Sequence, residues 1–175
     1  MHINIVLYEP EIPANTGNIA RTCAVTGASL HLIRPLGFDT SEKQLRRSGL
    51  DYWDKLDISY YDDFGDFLQK HPNARLFLLT TKAKRRYCDV AYQAEDFFVF
   101  GPESRGLPEN LIERMYEQAI RIPMRKTLRS LNLSNAVAIV VYEALRQQDF
   151  ADLEADGALS GREEEAFRWL GLLQK

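Results

Sequence analysis

Short apolar runs recur along the chain, at Ile3–Tyr8, Leu30–Ile33, Ile58–Tyr61, Arg75–Leu79, Phe97–Phe100 and Ala119–Ile122, with longer stretches of helical spacing between them. Short apolar runs of this kind read as strands, and strands separated by helices return to a sheet in parallel. The alternation therefore predicts an α/β fold, a mostly parallel sheet with helices on both faces. Helices are expected at Asn15–Thr26, Ser41–Gly49, Asp62–Lys70 and Pro108–Arg114, with Asn15, Ser41 and either Asp62 or Asp63 placed to cap them. Ser134–Gln148 mixes Val137, Ile139, Val140 and Val141 with the helix formers Ala136, Ala138, Glu143, Ala144 and Leu145, and its length decides for a helix capped by Ser134. Apolar almost all the way round, this helix is expected to be buried, in the core or against another subunit.

With 175 residues, 45% of them hydrophobic, the chain has material for one core and one compact domain. Its formal charge of −3 is unevenly spread. Residues 151–175 carry six acids (Asp152, Glu154, Asp156, Glu163, Glu164, Glu165) against three bases (Arg162, Arg168, Lys175), while residues 1–150 balance at 19 against 19. Residues 1–150 thus read as the domain, and 151–175 as an acidic loop with an appended amphipathic helix at Glu163–Leu173. Within the balanced body the bases gather as Lys43, Arg46 and Arg47; as Lys82, Lys84, Arg85 and Arg86; and as Arg121, Arg125, Lys126 and Arg129. Such clusters suit a phosphate backbone if folding brings them together, and are otherwise solvated faces.

Cys23 and Cys88 lack metal or redox spacing, and His2, His31 and His71 stand apart in the sequence, so neither a metal site nor a disulfide framework is expected. Cys23 reads as a small core residue and Cys88 as a loop thiol. The opening Met1–Tyr8 shows no basic leader and is too short to span a bilayer, which suggests a cytoplasmic protein. No Gly-x-Gly-x-x-Gly follows a strand and no Gly-x-x-x-x-Gly-Lys-Ser/Thr occurs, which argues against a plain dinucleotide enzyme or a nucleotide hydrolase.

Ligands of open parallel sheets sit beyond the carboxyl ends of the strands, and three polar segments fall there. Residues 15–21, Asn-Thr-Gly-Asn-Ile-Ala-Arg, enter the first helix, where Asn18, Arg21 and Val25 share a face away from Ile19 and Cys23. Arg21 is placed to meet a phosphate or hydroxyl, or else is a plain surface arginine. Residues 98–108 end an apolar strand in a loop holding Gly101, Pro102, Glu103, Arg105, Gly106 and Pro108, where Gly101 permits close approach to a ligand. Residues 122–136 run from a strand end through Arg125, Lys126 and Arg129 into the last helix. There Ser130, Asn132, Ser134 and Asn135 form a hydrogen-bonding set larger than a helix cap needs.

Together, Asn-Thr-Gly-Asn-Ile-x-Arg at 15–21, Phe-Gly-Pro-Glu-Ser-Arg-Gly-Leu-Pro at 100–108 and Ile-Pro-Met…Arg-Ser-Leu-Asn-Leu-Ser-Asn-Ala at 122–136 resemble the three motifs of the SPOUT methyltransferases. The resemblance is nearest to that family's small tRNA ribose methyltransferases of the wobble nucleotide, and it extends to residues 4–13, 45–52 and 79–82. It implies the SPOUT α/β knot, in which the Ser130 loop threads an earlier loop to make a C-terminal trefoil knot. It implies S-adenosylmethionine bound without a metal at Leu79, Gly101, Ile122, Ser130 and Leu131, and a homodimer formed through the first and last helices. The implied reaction is 2′-O-methylation of the ribose at nucleotide 34, cytidine or modified uridine, of tRNA. Leucine tRNAs are the expected substrates, and neither DNA nor a membrane is a partner. Catalytic roles fall to Arg21, Asn15, Glu103, Asn132 and Ser134, and RNA contacts to Arg46, Arg47, Lys82, Arg85, Arg86, Arg125, Lys126, Arg129 and Tyr142. Two other readings stand beside it: a SPOUT enzyme acting on another tRNA position or on rRNA, and a non-catalytic RNA- or cofactor-binding module. Arg21, Glu103 and Asn132 occurring together weigh against the last, since binding alone does not need all three.

Overall fold

A computed structural model describes residues 2–38, 56–128 and 130–158. The helices expected at 41–49 and 163–173, with the Ser41 cap, lie outside these residues, as do Arg46, Arg47 and Arg129. Among the described residues seven strands form one sheet: β1 (Asn4–Tyr8), β2 (Ser29–Ile33), β3 (Ile58–Tyr61), β4 (Leu76–Leu79), β5 (Arg85–Arg86), β6 (Phe97–Phe100) and β7 (Ala119–Arg121). Their order is β3-β2-β1-β6-β4-β7-β5, and every neighbouring pair is parallel. The predicted apolar runs all became strands. Only β5 was unforeseen, because two exposed arginines on an edge strand carry no apolar signal.

Side chains alternate across the strands, so each face of the sheet receives its own core. Ile5, Leu7, Phe98, Phe100 and Ile120 pack under α1 (Pro13–Thr26) and α4 (Leu133–Arg146). Val6, Leu78, Phe97 and Val99 pack under α2 (Phe64–Lys70) and α3 (Glu109–Arg114), which insert Phe67 and Ile112. From α4, Val137, Val140, Val141 and Leu145 are fully buried, each contributing about 1.5–3 kcal/mol of transfer free energy. The helix is nonetheless open on one stripe, where Ile139 and Tyr142 are 36% and 47% exposed.

Two expected caps are corrected. Asn15 does not cap α1; the helix starts earlier, with Ile12 at the cap and Pro13 in the first turn, where its missing N–H costs nothing. Asn15 is buried inside that turn, and its side chain is spent elsewhere. The cap of α4 is Asn132 rather than Ser134: Asn132 Oδ1 accepts from Ser134 N (2.9 Å) and Asn135 N (3.3 Å). Asp63 caps α2 as anticipated, accepting from Asp66 N at 2.8 Å.

The histidines that stand apart in sequence do not stay apart. His31 on β2 and His71 at the end of α2 come within 5.4 Å between ring centroids and share the Tyr61 hydroxyl. Burial, then the neighbouring His71, pushes the His31 pKa down to about 4. Cys23 is a core residue as expected, its thiol pushed up to about 12 by burial, and Cys88 is exposed.

Candidate active site

Strands β6, β4 and β7 are adjacent, and beyond their carboxyl ends lies a cavity of about 510 Å³. Leu79 is the last residue of β4, Gly101 the first after β6 and Ile122 the first after β7; all three line it, with Ser130 and Leu131 of the final loop. The five positions that the family resemblance gives to the cofactor thus share one pocket. Asn15, Glu103 and Asn132 line it too, whereas Arg21 and Ser134 do not.

The wall formed by residues 101–107 depends on two glycines. Gly106 adopts φ +68, the left-handed region that glycine enters without strain, and its N–H closes the turn onto Pro102 O at 2.9 Å. Gly101 lies against the returning chain so closely that a Cβ there would sit 2.2 Å from Leu107 N. The loop is folded back on itself, and only a residue without a side chain fits.

One hydrogen-bonded chain crosses the site. Ser134 Oγ donates to Asn132 Oδ1 (2.7 Å), Asn132 Nδ2 donates to Asn15 Oδ1 (2.9 Å), and Asn15 Nδ2 donates to Glu103 Oε1 (2.9 Å). Glu103 also accepts from Glu11 N (2.8 Å) and Ile12 N (3.2 Å), the free donors at the start of α1. Four of the five predicted catalytic residues therefore form a single network joining α1, the 101–107 loop and α4. Arg21 lies farther along α1 on the exposed face with Asn18 and Val25, as its helical spacing predicts.

Two carboxylates not singled out in the sequence complete the frame. Glu11 accepts from Ser104 N (2.9 Å) and Ser104 Oγ (2.7 Å), which holds its carboxyl below the usual range, and Glu9 is ion-paired with Arg105. The available signal was their place: two acids flanking Pro10 in the loop that leaves the carboxyl end of a strand.

The basic clusters converge in part. Register pairs Arg86 of β5 with Arg121 of β7, joining the second cluster to the third along one sheet edge. Lys82 lines the pocket and is paired with Glu109, whose carboxyl it lowers; Arg86 is held by Asp89 at 2.7 Å, and Arg85 donates to Glu117 O. Arg125 and Lys126 are exposed in the loop that follows β7, and Tyr142 is on the open stripe of α4. Among the described residues no group of three His, Cys, Asp or Glu is placed to hold a metal ion.

A parallel sheet whose pocket of mixed apolar and polar lining opens beyond the strand ends, walled by a glycine turn and a hydrogen-bonded asparagine pair, has the ligand site of an α/β enzyme. The chain belongs to the SpoU rRNA Methylase family, whose sequence profile matches residues 2–142. It is 53% identical over 146 residues to the tRNA (cytidine(34)-2'-O)-methyltransferase of Escherichia coli K12, covering 83% of this chain and 93% of that protein. It is 54% identical over 151 residues to the enzyme of the same name from Yersinia pestis, again covering 83% and 93%. A solved structure described as giving insights into the 2-OH methylation of C/U34 on tRNA superposes with a TM-score of 0.80 at 45% identity, covering 85% of this chain and 97% of that one. The parallel sheet with helices on both faces is thus the fold of this methyltransferase family.

Proposed function

We propose that this protein transfers a methyl group from S-adenosylmethionine to the ribose 2′-hydroxyl of nucleotide 34, cytidine or modified uridine, in tRNA. The observation that carries the reading is the convergence of the three motif segments on one pocket, cross-linked through Asn15, Asn132 and Glu103. The pocket's chemistry fits the donor. Its volume lies within the roughly 300–1,000 Å³ of small-molecule sites. Leu79, Ile122, Met124 and Leu131 offer apolar contact to a purine, and Thr80, Ser130 and Asn132 offer polar groups to ribose and amino-acid ends.

The bound donor supplies an already activated methyl group on a sulfonium, so the residues must align the acceptor oxygen and stabilise charge as it develops there. Arg21 suits that second task. A guanidinium stays protonated and is a poor base, but its planar fork can hold a phosphate and stabilise an alkoxide. Three N–H donors engage Glu103 and tie it to α1, and we assign the hydroxyl proton to an RNA phosphate or to water. Asn15, Asn132 and Ser134 hold the loops in register.

The same reading includes the trefoil knot, the division at residue 150 and a homodimer in the cytoplasm, where tRNA is found. The pocket rim Ile12 and Leu131, and the outward Val25, Ile139 and Tyr142, belong to α1, α4 and the segments leading into them, a broken apolar face suited to a second copy. Sedimentation should give a dimer for the wild type and a monomer for Ile139→Asp. We assign RNA contacts to Lys82, Arg85, Arg86, Arg125, Lys126 and Tyr142 and, by the family resemblance alone, to Arg46, Arg47 and Arg129. To test the reaction, the protein is incubated with S-adenosylmethionine and unmodified leucine tRNA, and the methylated nucleoside is located by mass spectrometry. The expected product is 2′-O-methylcytidine at position 34; methylation of a base, of another position or of rRNA alone would overturn the proposal.

A further inference from the structure

We infer that Glu11 is a positioning residue for methyl transfer, its carboxylate tying the wall of the cofactor pocket, through Ser104, to the helix that carries Arg21. The inference rests on the methyltransferase reading above. The 101–107 wall leaves β6 at Phe100 and rejoins regular structure only at Glu109; Pro102 and Leu107 anchor its two ends in the interior, the Gly106 to Pro102 bond closes its turn, and Ser104 between them is exposed. Opposite it, α1 begins with no side-chain cap of its own, and the Glu11 and Ile12 amides meet Glu103 instead. Ser104 answers with both its N–H and its hydroxyl on the Glu11 carboxylate, at 2.9 and 2.7 Å. Each loop thus satisfies backbone donors of the other with a carboxylate. Hydrogen bonds to ionised acceptors are the stronger kind, and two of them converge on Glu11.

Glu11 is a firm anchor for that contact. Gly37, from the segment after β2, packs so closely that a Cβ at 37 would lie 2.8 Å from Glu11 Cα, and Gly37 N donates to Pro10 O at 2.9 Å. The Glu11 backbone therefore has little room to follow a moving loop. Glu11 itself does not line the pocket, but Ser104 does. Losing the carboxylate leaves the wall tied to α1 through Glu103 but lets the exposed Ser104 shift, and with it the seat of the methyl donor relative to Arg21. The Glu9–Arg105 pair at the exposed rim adds to the clasp, though a solvated ion pair holds it less firmly.

The test compares Glu11→Ala, Glu11→Gln and Ser104→Ala by calorimetric binding of S-adenosylhomocysteine, single-turnover tRNA methylation and thermal unfolding. Glu11→Ala should weaken binding about tenfold and slow the saturated single turnover by about another tenfold, as misplacement of a reacting centre does. Its melting temperature should stay within about 3 °C, since the side chain is at the surface. Glu11→Gln keeps an acceptor for Ser104 and should fall within about threefold of wild type; Ser104→Ala keeps the backbone donor and should lie between the two. Wild-type binding by Glu11→Ala would overturn the inference. So would equal loss in Glu11→Ala and Glu11→Gln together with a large drop in melting temperature, which marks a purely structural group. If the wild type bound S-adenosylhomocysteine but methylated no tRNA, the substrate reading would fail, and the binding titrations would still decide the role of Glu11.

Discussion

Replacing Gly101 by alanine perturbs the cofactor wall at a single atom. The added Cβ would stand 2.2 Å from Leu107 N and 2.3 Å from the Gly106 carbonyl carbon, whereas ordinary contact begins near 3.4 Å. Both neighbours are backbone, so no rotamer change relieves the overlap, and the returning strand of the loop must retreat by about 1 Å. Overpacking of this kind costs about 1–3 kcal/mol, and a domain of this size loses about 2–4 °C of melting temperature per kcal/mol. The displaced atoms line the pocket, and a misplacement of about 1 Å can lower a rate about 10²-fold. The expected result is a melting temperature lower by about 3–10 °C, S-adenosylhomocysteine binding weaker by at least about tenfold, and a slower single turnover. Calorimetry, thermal unfolding and rapid-quench methylation read the three quantities. Gly106→Ala is the control: nothing lies within 4 Å of its added Cβ, and only its φ of +68 is strained, at about 1 kcal/mol. If Gly101→Ala bound the ligand and turned over within twofold of wild type, the tight fold-back of this loop would not govern the pocket.

Acid should destabilise the protein through His31. Its folded pKa of about 4 lies below the ordinary 6.5, so the unfolded chain takes up the proton first; stability is full above pH 6.5 and falls by about 3 kcal/mol as pH drops toward 4. Urea titrations of wild type and His31→Gln across that window should show a flatter profile in the variant, and parallel profiles would refute the assignment. Asn132→Ala should lose the α4 cap and about 0.5–2 kcal/mol as well as turnover, whereas Asn132→Asp, which still accepts at the cap but cannot donate to Asn15, should keep stability and lose turnover. Full activity in the aspartate variant would remove the Asn132–Asn15 link from the site. Arg21→Lys keeps the charge without the planar fork and should slow the saturated single turnover by about 10²-fold with S-adenosylhomocysteine binding unchanged; near wild-type turnover would show that a point charge is enough.

The strands and most helices were legible because their signal is local. Runs such as Phe97–Phe100 are apolar at every position, as strands covered on both faces must be, and four strands of this sheet are buried throughout or nearly so. Asp63 could be named as a cap because its partner is three residues away. Asn15 and Ser134 misled for the converse reason. Each has the chemistry of a cap, but Asn15 is drawn to Glu103, 88 residues away, and Ser134 is itself held by Asn132. A side chain that satisfies a local rule can still find a better partner across the fold.

The layered α/β architecture and the three polar segments are local properties of the chain, and the resemblance of those segments to a known family supplies the chemistry expected of them. Periodicity and motif spacing are written within a few residues, and each is read from one stretch of chain. Long-range packing brings the three segments into one pocket, links Asn132, Asn15 and Glu103 in one network, and clasps Glu11 to Ser104 across 93 residues. It also brought His31 to His71 and Arg86 beside Arg121. Those are contacts between distant parts of the chain, set by strand order and packing, and no local pattern encodes which loop end will face which.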